Sequence, residues 1–406
     1  MNRIERLLAE LAPDGVPHLP LGSVGTFVRG NGLQKADLTD SGFPAIHYGE
    51  IHTHYGVWTR RTKSFTSPEL ATRLRHAEPG NLIIATTSED DEAVGKATAW
   101  LGDGEVAVSG DAFIFRHGLD PRFTAYFFQS QAFHAQKTRY ISGAKVRRIS
   151  KQALERLMIP VPPIEIQREI VGVLDKFTEL EAELEAELEA RKKQYAHLSD
   201  SLIAASSVST VQKLGAIATV RRGASPRPIG NFLTDNDLGI PWVKIGDAPS
   251  EGKYITETSQ KITKEGALQS RSIKPGDFLL SNSMSFGRPY ISQIEGCIHD
   301  GWLAISSFED SFIPEYLYYL LRSAPIQAEF ERKAGSGTVR NLNADIVRSI
   351  TVSVPPLAEQ RATASLLNQF DALVNDLSIG LPAELAARRK QYEYYRDKLL
   401  TFEEAR

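Results

Sequence analysis

Two Pro-Pro pairs, Val161-Pro162-Pro163-Ile164 and Val354-Pro355-Pro356-Leu357, are the nearest this sequence comes to an enzyme motif. An adenine methyltransferase needs an Asn or Asp before such a pair and an aromatic residue after it. Both copies have valine before and an aliphatic residue after, which excludes that chemistry. Gly102-Asp103-Gly104 lacks the strand–turn–helix setting of a cofactor loop. Glu251-Gly252-Lys253, with Asp247 nearby, imitates a nuclease set, but such triplets are common. His47, His52 and His54 fall within eight residues. Read as a strand, this stretch puts His52 and His54 on one face, yet no cysteine joins them to make a metal site. No catalytic residue, metal site or cofactor of the chain's own is expected.

What remains is a set of donors suited to DNA. Arginine grips phosphates or the guanine edge, and short polar side chains reach bases in the grooves. Lys145, Arg147 and Arg148, with their counterparts Thr338, Arg340 and Asn341, read as loop residues just before the last strand of each domain. Ser225, Arg227, Lys244, Asn282, Ser283, Ser285 and Arg288 form a second set, also in loops. Thr86, Ser88 and Lys96, together with His47, Tyr48 and His52, make the looser analogue nearer the start. For each of these, an internal ion pair or plain surface placement is the competing reading.

The elements that position these residues occur twice. A shift of 193 residues lays Leu21-Gly22 on Leu214-Gly215, Gly30 on Gly223, Pro121 on Pro314 and Val146-Arg147 on Val339-Arg340. It also lays Pro162-Pro163 on Pro355-Pro356, Gln167-Arg168 on Gln360-Arg361 and Phe177 on Phe370. The block Ala190–Tyr195 matches Ala387–Tyr392 at a shift of 197, so the second copy holds four extra residues. A repeat of this kind decides the architecture. Each copy opens with a domain rich in Gly, Pro and short β-like runs, such as Asn81–Ala85 and Asp277–Leu280 after Pro-Gly turns. A helix is predicted around Phe123–Lys137 and another around Pro314–Lys333.

Each copy then continues into a long helix. In the first, Ile170, Phe177, Leu184, Arg191 and Leu198 alternate with Leu174, Glu181, Leu188, Tyr195 and Leu202 at heptad spacing. In the second, Leu367, Phe370 and Val374 lead through Leu381 and Leu385 to Tyr392, with a kink expected at Gly380 and Pro382. Two such helices bury their seams most simply as an antiparallel pair. Arg191 and Arg388 recur at matching places and are candidates for helix locking or partner docking. Leu180–Ala190 repeats Leu-Glu-Ala-Glu with a period of four, a strongly helical rod.

With 406 residues and 42% hydrophobic content, the chain has room for cores in more than one domain. It has no apolar run of membrane-spanning length, and its single cysteine, Cys297, excludes an internal disulfide framework. A reduced, cytoplasmic protein is expected. Net charge is −3, but ten acids face five bases over Ile164–Ala204, and the mass outside the two helical stretches carries about +3. So weak a basic footprint implies that partners supply much of any affinity for DNA.

Over nearly its whole length the sequence resembles the specificity subunits of type I restriction–modification enzymes. In the first half the resemblance lies in His47–Thr53, Thr86–Glu89, Gly95–Ala97 and Ser142–Val146. In the second it lies in Gly223–Pro226, Ile240–Val243, Lys274–Asp277, Gly335–Val339 and Gly380–Tyr392. The resemblance implies an α/β (α+β) fold with pseudo-two-fold duplication: two target-recognition domains and two long helices packed as an antiparallel coiled coil. The expected bounds are 1–163 and 207–356 for the domains and 164–206 and 357–406 for the helical regions. It further implies that each domain reads half of a bipartite, asymmetric site in double-stranded DNA. The helices would set the spacer and dock two modification (methyltransferase) subunits, which restriction (translocase–nuclease) subunits join. S-adenosylmethionine and ATP would belong to those partners. An adaptor whose two domains bind proteins instead of bases is the alternative.

Overall fold

The computed structural model describes residues 3–205, 209–249, 252–282, 286–334, 341–375 and 380–405. It divides into two compact units, Met1–Ala182 with Ala387–Arg406, and Glu183–Ala386. The helix Ile164–Ala204 runs unbroken for 41 residues and contributes to both units. The second helical stretch is described as Leu357–Asn375 and Leu381–Leu399. Gly380 and Pro382, where the kink was expected, stand at the start of its latter part, and 376–379 lie outside the described residues.

In the first unit a five-stranded sheet runs in the order Gly25–Arg29, Ala112–His117, Leu82–Ala85, Ala97–Trp100 and Trp58–Thr59. All its pairs are antiparallel except the last. The predicted strand at Leu82–Ala85 is therefore central. Leu82 and Ile84 pack into one core with Phe115, Phe123 and Tyr126, while Ile83 and Ala85 pack into another with Ile46, Val108 and Ile114. The two-residue period of a strand thus feeds both faces, which is why the run is apolar without alternation. A second, four-stranded sheet closes the far face with Ser64–Thr66, Phe43–Ile46, Val106–Val108 and His76–Ala77.

The second unit repeats the plan. Its first sheet orders Thr219–Arg222, Trp302–Ser306, Phe278–Ser281, Pro289–Ser292 and Tyr254–Ile255, again with only the last pair parallel. Phe278 and Leu280 face one core and Leu279 the other.

Each predicted single helix is two. Pro121–Phe127 and Gln131–Lys137 part at Ser130, whose hydroxyl caps the second helix by accepting from Phe133 N. Pro314–Arg322 and Ala324–Ala334 part at Ser323. Ser130 and Ser323 are matched by the 193-residue shift, so the break belongs to the repeat. The segment read as a strand around His52 is the short helix Tyr48–Thr53. His47 takes the cap position with its Nδ1 accepting from Gly49 N, a cap outside the usual Ser, Thr, Asp and Asn set.

Candidate nucleic-acid interface

Antiparallel pairing carries the candidate residues to one end of each main sheet. In the first unit Arg29 pairs with Phe113 and Ala112 with Ala85. The segments after residues 29 and 85 and before 112 therefore emerge together. Gly30, Thr86–Ser88 and Ser109–Asp111 lie there, and His47 and Tyr48 join them after Phe43–Ile46, with Tyr48 N bonded to Ser109 Oγ. A side chain at Gly30 has no room, because its Cβ would stand 2.1 Å from Ser109 O.

The individual residues interlock. His52 Nε2 lies 2.9 Å from Thr87 O, and Lys96 Nζ donates to His52 O. Arg147 and Arg148, expected in a loop, form a two-residue strand against Ser88 and Thr87. The turn between Ser142 and Arg148 leaves Lys145 exposed. Arg147 is held by Asp91 at 2.9 Å and by Gly143 O, so the internal ion pair weighed for it exists. Thr86 is buried with its hydroxyl on Asp111 O; it holds the loop and presents nothing outward. Burial lowers the pKa of His47, His52 and Lys96, which keeps both imidazoles neutral near pH 7.

The second unit builds the same end around an acid that sequence reasoning missed. Arg222 pairs with Leu303, Ser281 with Trp302 and Val243 with Ile298. Gly223, Ser225, Lys244, Asn282 and His299–Gly301 consequently converge. Gly223 repeats the constraint of Gly30, since its Cβ would sit 2.1 Å from His299 O. The Asp300 carboxylate accepts from Ser225 Oγ at 2.6 Å and pairs with Arg227 at 3.6 Å. The Ser225 bond is the main reason that the carboxyl titrates below its usual range. Asp300 O in turn accepts from Asn282 and Arg222. Asn282 is buried and serves the frame, whereas Arg227 is largely exposed and Asn341 stands exposed beside Leu342, whose N–H donates to Asn282 O. Arg288 lies over the Tyr290 ring. Ser283, Ser285, Thr338 and Arg340 lie outside the described residues. Nothing in the types of its sequence neighbours marked Asp300.

The helices are tied to both domains by equally repeated contacts. Gln167 accepts from Asp120 N and donates to Pro162 O; Gln360 accepts from Ile313 N and donates to Pro355 O and Ser311 O. Asp397 receives Gln131 N, and Asp200 receives Ala324 N. In the first unit Ile170 and Leu174 are fully buried, each burial being worth about 2 kcal/mol. Phe177 stacks on Tyr395 at 5.6 Å and lies 6.3 Å from Tyr392, and Glu181 pairs with Arg389 at 2.6 Å. Numbers rise on one helix as they fall on the other, which is antiparallel packing. In the second unit Leu188, Leu367, Val374 and Leu385 are buried, Leu184 and Phe370 are half-buried, and Tyr195 donates to Asp371. Arg191 does not join a seam: it reaches Glu187 and Gln194 on its own helix, and Arg388 reaches Gln391 in the same way.

The family model for the type I restriction modification DNA specificity domain matches this chain twice, over residues 78–190 and 208–387. The chain belongs to that family. Its duplicated matches fall on the duplicated units, and the family's role is DNA sequence recognition, with catalysis left to other subunits. A Haemophilus influenzae chain named as a type I restriction enzyme specificity subunit is 31% identical over 328 residues, covering 76% of this chain and 78% of that one. The Escherichia coli EcoR124I/EcoR124II specificity subunit is 31% identical over 63% of this chain and 65% of its own. A solved chain from a type I R-M system superposes with a TM-score of 0.70 over 95% of this chain and 97% of that one, at 19% identity, which shows a shared fold. No helix among the described residues is long and apolar enough to cross a membrane. Among the same residues no cluster of His, Cys, Asp and Glu is placed to hold a metal.

Proposed function

We propose that the chain reads a bipartite, asymmetric site in double-stranded DNA, one half with each unit, through the loop ends gathered around Ser109–Asp111 and His299–Gly301. The observation that carries this reading is the repetition of one polar loop cluster at the same sheet end in both units, built on Gly30 and Gly223. Arg147, Arg148 and Lys145 in the first unit and Arg227, Lys244 and Asn341 in the second supply the outward donors. The long helices dock two methyltransferase subunits, through which restriction subunits join. S-adenosylmethionine and ATP bind to those partners, and the assembly works in the cytoplasm. A modest basic footprint fits such sharing, because each phosphate neutralised contributes to affinity and few are offered by this chain alone.

The test is to combine the purified chain with its methyltransferase subunit and map modified adenines on random-sequence DNA. A single two-part motif with a fixed gap is the expected outcome. A complex that forms and methylates without sequence preference overturns the reading and favours a protein-binding adaptor.

A further inference from the structure

Two arginine pairs occupy the same corner of the two units, and none of the four side chains belongs to the donor sets read from the sequence. In the first unit Arg29 ends its strand opposite Phe113, and its Nε donates to Gly110 O at 2.7 Å. Arg75 stands across from Val108, whose N–H donates to Arg75 O, and its guanidinium donates to Arg29 O at 2.7 Å. In the second unit Arg222 ends its strand opposite Leu303, and its Nε donates to Asp300 O at 3.2 Å. Arg271 pairs with Ile298, and its Nε donates to Arg222 O at 3.4 Å. Phe113 and Leu303, Val108 and Ile298, and Gly110 and Asp300 are each 190 residues apart, so the two corners correspond contact for contact. Arg29 and Arg222 also obey the 193-residue shift. Arg75 and Arg271 are 196 apart, and only the strand pairing shows them to be equivalents.

Each corner is also braced, by different means. Asn31 Oδ1 accepts from Arg75 N at 2.6 Å and its amide donates to Arg73 O, whereas in the second unit Ser270 Oγ donates to Ala224 O at 2.6 Å. The brace changes between the units while the arginines do not. Each guanidinium spends one of its five N–H groups on a backbone carbonyl, which sets the fork in place without consuming it. Arg29, Arg75 and Arg222 are exposed and Arg271 is half-buried. Their one ion pair among the described residues joins Arg29 to Asp111 at 3.5 Å, and exposure on both sides makes it weak and open to exchange. A guanidinium held in this way suits the oxygens of a phosphate. A contact that recurs unchanged in both units suits what is the same in every DNA sequence, which is the backbone. An asymmetric target requires base contacts that differ.

We propose that Arg29 with Arg75, and Arg222 with Arg271, grip DNA phosphates at equivalent places beside the two half-sites and take no part in base selection, a role that rests on the loop ends being the DNA-facing side of each unit. The test uses the full chain in complex with its methyltransferase subunit. Binding is measured over a series of salt concentrations, on a duplex bearing the mapped site and on one of unrelated sequence. Arg29→Gln with Arg75→Gln keeps a donor for each carbonyl and removes both charges, as does Arg222→Gln with Arg271→Gln. Each double variant should bind both duplexes at least about tenfold more weakly, with a salt slope smaller by about two counterions and the methylated motif unchanged. Arg29→Lys with Arg75→Lys should restore the slope, and melting curves that match the parent show that the fold is intact. The proposal is overturned if slope and affinity stay at the parent's values, if lysine fails to restore the slope, or if the motif changes in either half, which would make the arginines base readers. Loss of the methyltransferase subunit from the variant complexes would make the pairs a protein-docking contact and overturns it as well. In each of these cases a parent complex that methylates a single two-part motif leaves the DNA-reading proposal standing. A parent complex with no motif defeats both.

Discussion

His117 gives the first unit a response to acid that can be worked out from one side chain. It stacks at 4.9 Å on Phe115 in the main sheet, and burial pushes its pKa from 6.5 down to about 4. The folded state therefore resists the proton that the unfolded chain accepts. Between pH 6.5 and 4 the unfolded state binds more protons, so stability falls as pH falls through that window and levels off below it. His134, also lowered to about 4 by burial, acts in the same direction. The expected loss from His117 alone is roughly 3 kcal/mol. Urea unfolding of the first unit at a series of pH values measures it, and His117→Phe should flatten much of the slope. A slope unchanged by that substitution would place the acid response elsewhere. The same scale shows why single donors were hard to assign from sequence. Thr86 and Asn282 belong to residue types that read bases, yet both are consumed by carbonyls of the neighbouring loops, Asp111 O and Asp300 O. Asp300 was passed over because its importance comes from four neighbours that are distant in sequence.

Elements were legible where a period was long enough to register. The heptads of Ile164–Ala204 and the apolar run at Leu82–Ala85 are such cases, and both elements are present. The second sheet of each unit was not read, because its strands are only two to four residues long and no alternation can show in so few. Arg147–Arg148 became a strand only by pairing with Thr87–Ser88, a partner no local pattern names. The helix also carries a prediction. Leu184–Glu187 is one Leu-Glu-Ala-Glu repeat, and deleting it shortens the helix by about 6 Å. Leu188 then takes the place of Leu184, so the apolar periodicity is kept. If this helix sets the separation of the half-sites, methylation mapping of the deletion variant should show the same two half-sites with a gap shorter by about one or two base pairs, at 3.4 Å each. An unchanged gap, or a changed half-site, would remove the helix from that role.

At the scale of the molecule the question is whether duplication of structure means division of labour. The two units share sheet order, the parallel fifth strand, the serine break between paired helices and the glutamine that pins each helix to its domain. They differ where the outward donors stand: Arg147 braced by Asp91 in one, and Ser225 and Arg227 around Asp300 in the other. A common frame with unlike loop ends is what an asymmetric target in two parts requires, since an identical pair would favour a palindrome. Arg147→Ala removes an exposed pair worth at most about 1 kcal/mol to folding, so its effect on DNA can be read without unfolding the unit. It should relax selection at one half-site, or lower the salt dependence of binding by about one counterion if the contact is to phosphate. Asp300→Asn should disturb only the other half-site, through Ser225 and Arg227. Sequencing methylated products from each variant separates the two effects. Should either substitution alter both halves together, the units would not be independent readers, and a single composite recognition surface would have to replace them.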